Sequence, residues 1–179
     1  MKLLTKTIPA KFSKTIPKGL RIIKRGDDDF LLVESLFCPR GHNLIVDSVR
    51  IHDEASIKLK VRINNDEGFV FIDPFWGSHA KLFSFIPRIE ENKSVYVEAF
   101  CPYCNISIIE HHACTHKGCD SNQGILLLLP GSKNQIHVCA RLGCPGHALE
   151  IKDLPPALVE TVSKINFFGA GAHDYFRDI

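Results

Sequence analysis

Thiols and imidazoles are the side chains of this chain best suited to chemistry, and they fall into short, paired spacings. The chain has seven cysteines and nine histidines. The first group is Cys38-Pro39-Arg40-Gly41-His42, and the second is Cys101-Pro102-Tyr103-Cys104. Cys114 and Cys119 follow, then Cys139, Cys144 and His147. Soft thiolates and imidazole nitrogens in pairs are the usual means of holding a tetrahedral metal ion, above all Zn2+, and a structural site fills all four positions with protein. Thiols spaced this closely, in a chain without a secretory signal, point to metal binding in preference to disulfides, and an odd count leaves one thiol over after any complete pairing. Nine ligand candidates (Cys38, His42, Cys101, Cys104, Cys114, Cys119, Cys139, Cys144 and His147) are read as two zinc sites.

A tight turn with two intervening residues at the end of a strand presents two ligands together. Cys101-Pro102-Tyr103-Cys104 has this form and directly follows the alternating run Ser94–Phe100. Asn105 stands where glycine is common after such a knuckle, and asparagine also tolerates a left-handed backbone. Cys114-Thr115-His116-Lys117-Gly118-Cys119 supplies a second, looser pair. These residues and the strands around them, over about residues 95–129, resemble a zinc ribbon. That resemblance implies two facing knuckles sharing one zinc through Cys101, Cys104, Cys114 and Cys119. A redox-active CxxC is the rival reading, but no βαβ context surrounds it. The spacings match neither ferredoxin pattern.

The second site then draws on Cys38, His42, Cys139, Cys144 and His147. Cys38-Pro39-Arg40-Gly41-His42 and Cys144-Pro145-Gly146-His147 are versions of one turn, each with cysteine, proline, a glycine that permits the bend, then histidine. Cys38, His42, Cys139 and Cys144 are the preferred set, with His147 beside them; Cys38, His42, Cys144 and His147 is the alternative. A third arrangement stays open, joining Cys38 and His42 to Cys101 and Cys104, and Cys114 and Cys119 to Cys139 and Cys144. In each, one metal ties residues near 40 to residues more than sixty positions later, so metal binding becomes folding energy. His111, His112 and His116 could form an open catalytic site. However, the glutamate of an H-E-x-x-H helix is missing, as are phosphate-binding loops and nucleophile elbows. No catalytic residue is assigned, and the expectation leans away from an enzyme.

Strands must carry these ligands. Ser56–Ile63 alternates strictly, placing Ile57, Leu59, Val61 and Ile63 on one face. The turn residues Asn64–Gly68 and the run Phe69–Ile72 complete a hairpin. Leu82–Ile86 and Ser94–Phe100 read as further strands, and Ile125–Leu129 with Gln135–Val138 as a hairpin delivering Cys139. Pro155-Pro156 opens a helix over about 156–166, with Leu158, Val162 and Ile165 on one face. Asp27-Asp28-Asp29 reads as a solvated turn, lacking the spaced ligands of a calcium loop. Phe75 and Trp76 are expected to pack over the sheet, with an aromatic binding loop as the rival.

The first 25 residues hold eight basic side chains and no acid; the remainder holds 14 basic against 20 acidic residues, a net of −6. Lys6-Thr7-Ile8-Pro9 returns as Lys14-Thr15-Ile16-Pro17, and each proline biases the preceding isoleucine toward extended backbone. The arm is therefore expected to lie extended on the body, isoleucines inward and lysines outward, rather than to form the helix of a mitochondrial presequence. No apolar run approaches the ~18–20 residues of a membrane span, and a cytoplasmic location is expected. The 179 residues, 45% hydrophobic, support a real core. The expected fold is α+β and β-rich: an antiparallel sheet with a zinc-ribbon-type lobe and one C-terminal helix. Its expected parts are a basic arm (1–25), a β-sheet domain with the first knuckle at 38–42 (26–100), a zinc-binding lobe (101–147) and a C-terminal helix and tail (148–179). The expected role is a non-catalytic zinc protein presenting a surface to a protein partner, as a subunit or accessory factor. Its contacts would be the Phe75–Trp76 loop and the aromatic tail Phe167–Phe176. Nucleic-acid binding and a metal enzyme with one open zinc position are the alternatives; whether a small molecule is a substrate stays open.

Overall fold

The computed structural model describes residues 7–166. A single helical turn, α1 (Ala10–Ser13), leads into a hairpin of β1 (Leu20–Arg25) and β2 (Asp28–Val33). Next come β3 (Ile45–Ile51), β4 (Glu54–Ile63), β5 (Asp66–Ile72), β6 (Lys81–Phe83) and β7 (Glu98–Phe100). These form one antiparallel sheet in the order β3-β4-β5-β6, with β7 added beside β4. The chain continues through β8 (Ile109–His111), β9 (Gln123–Leu128), β10 (Gln135–Cys139) and β11 (His147–Glu150), a second antiparallel sheet in the order β11-β10-β9-β8. A short helix, α2 (Pro156–Ser163), follows.

Alternation decides which faces meet. Ile57, Leu59, Val61 and Ile63 of β4 are all buried, as their period-two spacing requires. In the second sheet Ile125 and Leu127 of β9, Ile136 of β10 and Leu149 of β11 point inward together. One hydrophobic cluster runs from Ile8 to Ile165 and takes residues from all three sheets and both helices. Each fully buried Leu, Ile or Phe in it contributes about 1.5–3 kcal/mol of transfer free energy. The β4–β5 hairpin turns at Asn64-Asn65, Ile63 pairing with Asp66, and the β9–β10 hairpin pairs Gln135 with Leu128, both as the turn residues imply.

The arm departs from its expected extended form. Prolines restrict only Ile8 and Ile16, leaving Ala10–Ser13 free to coil; Pro9 caps the turn and Phe12 is fully buried by it. Ile8 is buried and Lys11, Lys14 and Lys18 are exposed, so the inward and outward assignments hold along that stretch. The acidic triplet is also only partly a turn. Asp28 and Asp29 enter β2 opposite Arg25 and Lys24, as cross-strand pairs of opposite charge.

Other differences follow from packing. The run 94–100 yields only the three residues of β7, because Tyr96 and Val97 turn to the second sheet: Tyr96 bridges to Arg141, and the Val97 amide donates to the Ala140 carbonyl at 2.7 Å. In α2 the buried residues are Val159 and Val162, with Leu158 only half-buried, and the helix closes at Ser163. Phe75 and Trp76 are 1% and 6% exposed, and the Trp76 indole donates to the Val162 carbonyl at 2.9 Å. They lock α2 to the sheet and present no docking surface. The tail Phe167–Phe176 lies outside the described residues. Among the described residues no helix is long and apolar enough to cross a membrane.

Candidate metal centres

The first centre forms beside β4. Strand β3 pairs with the start of this strand, and β7 with residues 60–62 farther along the same edge. Two turns meet there. A bridge between Phe37 and Asn43 closes the loop that carries Cys38 and His42. The Cys38 amide donates to the His42 carbonyl at 3.0 Å, and Gly41 takes the left-handed φ of +85° that the bend needs. The other turn leaves β7 directly at Cys101. Its Asn105 has φ +59°, the left-handed backbone expected there, and its side chain accepts a hydrogen bond from Lys60 of β4. The ligand atoms of Cys38, His42, Cys101 and Cys104 lie within 4.8 Å of one another. Cys38 Sγ is 3.4 Å from His42 Nδ1 and 4.0 Å from Cys104 Sγ. For Zn–S and Zn–N bonds of about 2.3 and 2.05 Å, the edges of a tetrahedron are about 3.8 Å for S···S and about 3.5 Å for S···N.

The second centre sits at one end of the second sheet. In an up-and-down order of four strands, the β8–β9 and β10–β11 connections emerge at the same end. The first connection carries Cys114 and Cys119. The second begins at Cys139, the last residue of β10, and carries Cys144. Cys114 Sγ lies 3.7 Å from Cys144 Sγ, and Cys119 Sγ 3.9 Å from Cys139 Sγ, with all four sulfurs within 4.8 Å. These separations match a ZnS4 tetrahedron and are far beyond a disulfide bond of about 2.05 Å. The approach is close: a Cβ on Gly146 would stand 2.4 Å from Cys114 Sγ.

Backbone amides aim at the sulfurs. His42 N and Tyr103 N donate to Cys38 and Cys101, and His116 N and Gly146 N to Cys114 and Cys144, at 3.3–3.4 Å. The Ile106 amide brings the Cys104 thiol down to about 7, and the Ser121 amide does the same for Cys119. Burial acts in the opposite sense on Cys101 and Cys114, and pushes Cys144 up to about 11. Several thiolates packed together without a counter-charge are unfavourable, and a divalent cation at the centre removes the conflict. Lys81 lies near the four-cysteine centre: burial lowers its pKa, while Cys144 and Cys139 act to raise it.

The structure thus brings eight of the nine ligand candidates together, but not in the preferred pairing. Cys101 and Cys104 do not share a centre with Cys114 and Cys119; they join Cys38 and His42, the arrangement left open in the sequence. Three-residue β7 pairs with β4 and holds its knuckle there, while Cys114 is carried to the far side of β8. His147 stands outside both groups. Its Nδ1 approaches the Pro145 carbonyl at 3.0 Å and its Nε2 the Ile165 carbonyl at 2.9 Å, and its ring meets Trp76 edge-on. Burial lowers its pKa. It ties the four-cysteine loop to the end of α2. His111 and His116 belong to no metal-competent group among the described residues. Comparison with protein-family models, curated proteins and solved structures finds no significant match. The two ligand groups can each hold a metal ion.

Proposed function

We propose that this is a non-catalytic zinc protein whose two structural Zn2+ ions brace a β-scaffold for docking a protein partner, as a subunit or accessory factor of a larger assembly. The observation that carries the structural-metal reading is the closure of both groups. Each combines four protein ligands from separate turns at tetrahedral spacing, which leaves no ligand position to a substrate. The first group joins residues 66 apart, so its metal closes a long loop that the apo chain must hold shut by strand pairing and packing. Zn2+ is preferred because sulfur and imidazole ligands in a tetrahedron suit it without redox chemistry.

Support for a protein partner comes from apolar surface beside β6, the outer strand of its sheet. Leu82 is 51% exposed, Ile86 92% and Ile89 51%. An edge unpaired among the described residues and followed by exposed isoleucines suits strand addition by another chain. These residues replace the Phe75–Trp76 loop as the candidate contact.

Metal analysis of the full chain tests the first half: two tightly held, cysteine-ligated zinc ions per chain are expected, and chelation should unfold the protein. One zinc or none, in a folded chain, would refute it. For the second half, cross-linked capture with the wild type is compared with Ile86→Glu and Ile89→Glu variants, which should lose a specific partner. An unchanged set of captured proteins, or salt-dependent binding to RNA or DNA in its place, overturns the docking role.

A further inference from the structure

The outer face of the second sheet gathers a third set of ligand-type side chains, outside both cysteine centres. Alternation that sends Ile125, Leu127, Ile136 and Leu149 into the core turns Glu110, Gly124, His137 and Glu150 to the opposite face. His112, just beyond β8, stacks its ring on that of His137, with centroids 3.8 Å apart and planes 4° apart, so it must turn out of the stack to bring a nitrogen lone pair, which lies in the ring plane, onto an ion shared with His137. Gly124 of β9 makes room for it: a Cβ there would lie 3.0 Å from His112 Cβ.

From this arrangement we infer a third metal site, an open one, in which His112, His137 and Glu150 hold a Zn2+-class divalent ion and leave coordination to water or an external ligand. One ligand atom from each of the three residues lies within 4.8 Å of the others. His137 is 2% exposed, yet its Nδ1 is enclosed without a hydrogen-bond partner. Its other nitrogen, Nε2, is hydrogen-bonded to Glu110 Oε1; a carboxylate only accepts, so Nε2 donates and Nδ1 is the nitrogen available to an ion. A carboxylate orienting a histidine in this way is the usual support for a metal-binding imidazole. Across from it, Gln135 donates to Glu150 Oε2 at 2.7 Å and leaves Oε1 facing Nδ1 at 3.4 Å. That separation is too long for a good hydrogen bond. It equals the edge of about 3.4 Å expected between imidazole nitrogen and carboxylate oxygen on a tetrahedral zinc.

Two imidazoles and one carboxylate favour Zn2+, Co2+ or Ni2+ over Mg2+ or Ca2+, which prefer all-oxygen shells. With three protein ligands the shell is incomplete, and the half-exposed carboxylates of Glu110 and Glu150 leave the site open toward solvent. The inference does not depend on the docking role, nor on which partner the scaffold carries.

Co2+ titrated into the full-length two-zinc protein provides the test. A third equivalent should bind, showing weak d–d absorption without the intense thiolate-to-metal charge transfer of a cysteine site. It should weaken at least about tenfold in Glu150→Gln and in His112→Asn, roughly the loss seen when one ligand or its support is removed. Both substitutions are at partly exposed positions, and retention of the two zinc ions reports that each variant is folded. Saturation of the wild type without an N/O-type third equivalent overturns the inference. A third equivalent bound equally well by both variants does so too.

Discussion

Replacing Gly146 with alanine tests the four-cysteine centre without touching a ligand. The added Cβ would lie 2.4 Å from Cys114 Sγ and 3.3 Å from both Cys139 Cβ and Cys144 Sγ. Favourable non-bonded contact begins near about 3.5 Å, so the sulfur must retreat by roughly 1 Å or the loop must shift as far. A metal–ligand distance tolerates only about 0.2 Å. Residue 146 is not among the glycines with positive φ, so alanine suits its backbone and the cost is steric. Overpacking of this kind costs about 1–3 kcal/mol, which corresponds to roughly 5–150-fold weaker metal binding. Competition with a chromophoric chelator should show two phases in Gly146→Ala: one zinc released early and one held as in the wild type. The early phase belongs to the four-cysteine centre, because the nearest atoms to the new methyl group are all in it. A variant that holds both zinc ions with unchanged affinity and unfolds at the wild-type temperature would refute the reasoning.

Other outcomes follow from the same geometry. Cys38→Ser and Cys114→Ser should each bind one zinc fewer by native mass spectrometry, and the double variant two fewer; a shared centre would lose only one in the double variant. His147→Ala should keep both zinc ions while losing thermal stability, since His147 joins a loop to α2 and ligates nothing; loss of a zinc would return it to the ligand set. Phe12→Ala should cost about 3–5 kcal/mol in denaturant unfolding despite its place in an arm rich in charge, because the ring is fully buried. Burial, the leading cause, lowers the His79 pKa from 6.5 to about 4. A base held below its unfolded value adds stability that is complete above about 6.5 and lost as pH falls toward about 4. The stability difference between wild type and His79→Gln should therefore shrink across that window; a constant difference, or an NMR titration midpoint near 6.5, would contradict the burial.

The local features of this protein were determined by residue order. Strict alternation along Ser56–Ile63 marked the buried face of β4, the turn residues at 64–65 and 130–134 marked hairpins, and the spacing of cysteine and histidine marked metal chemistry. Those signals need only neighbours within a few residues. Which knuckle meets which is a different kind of fact. Cys101 lies closer in sequence to Cys114 than to Cys38, yet the pairing of β7 with β4 carries its knuckle to the loop at 38–42. The up-and-down order of β8 to β11 brings Cys114 to Cys144 in the same way. His147 shows the limit most plainly: its turn copies that of His42, but the chain just beyond α2 supplies the Ile165 carbonyl in place of a metal. The His112, His137 and Glu150 group carries no spacing signal, because strand pairing across a sheet joins residues whose separation follows no local period. Local preference writes turns and faces into the chain; long-range pairing, which trades loop entropy for buried surface and ladder hydrogen bonds, decides which ligands share an ion.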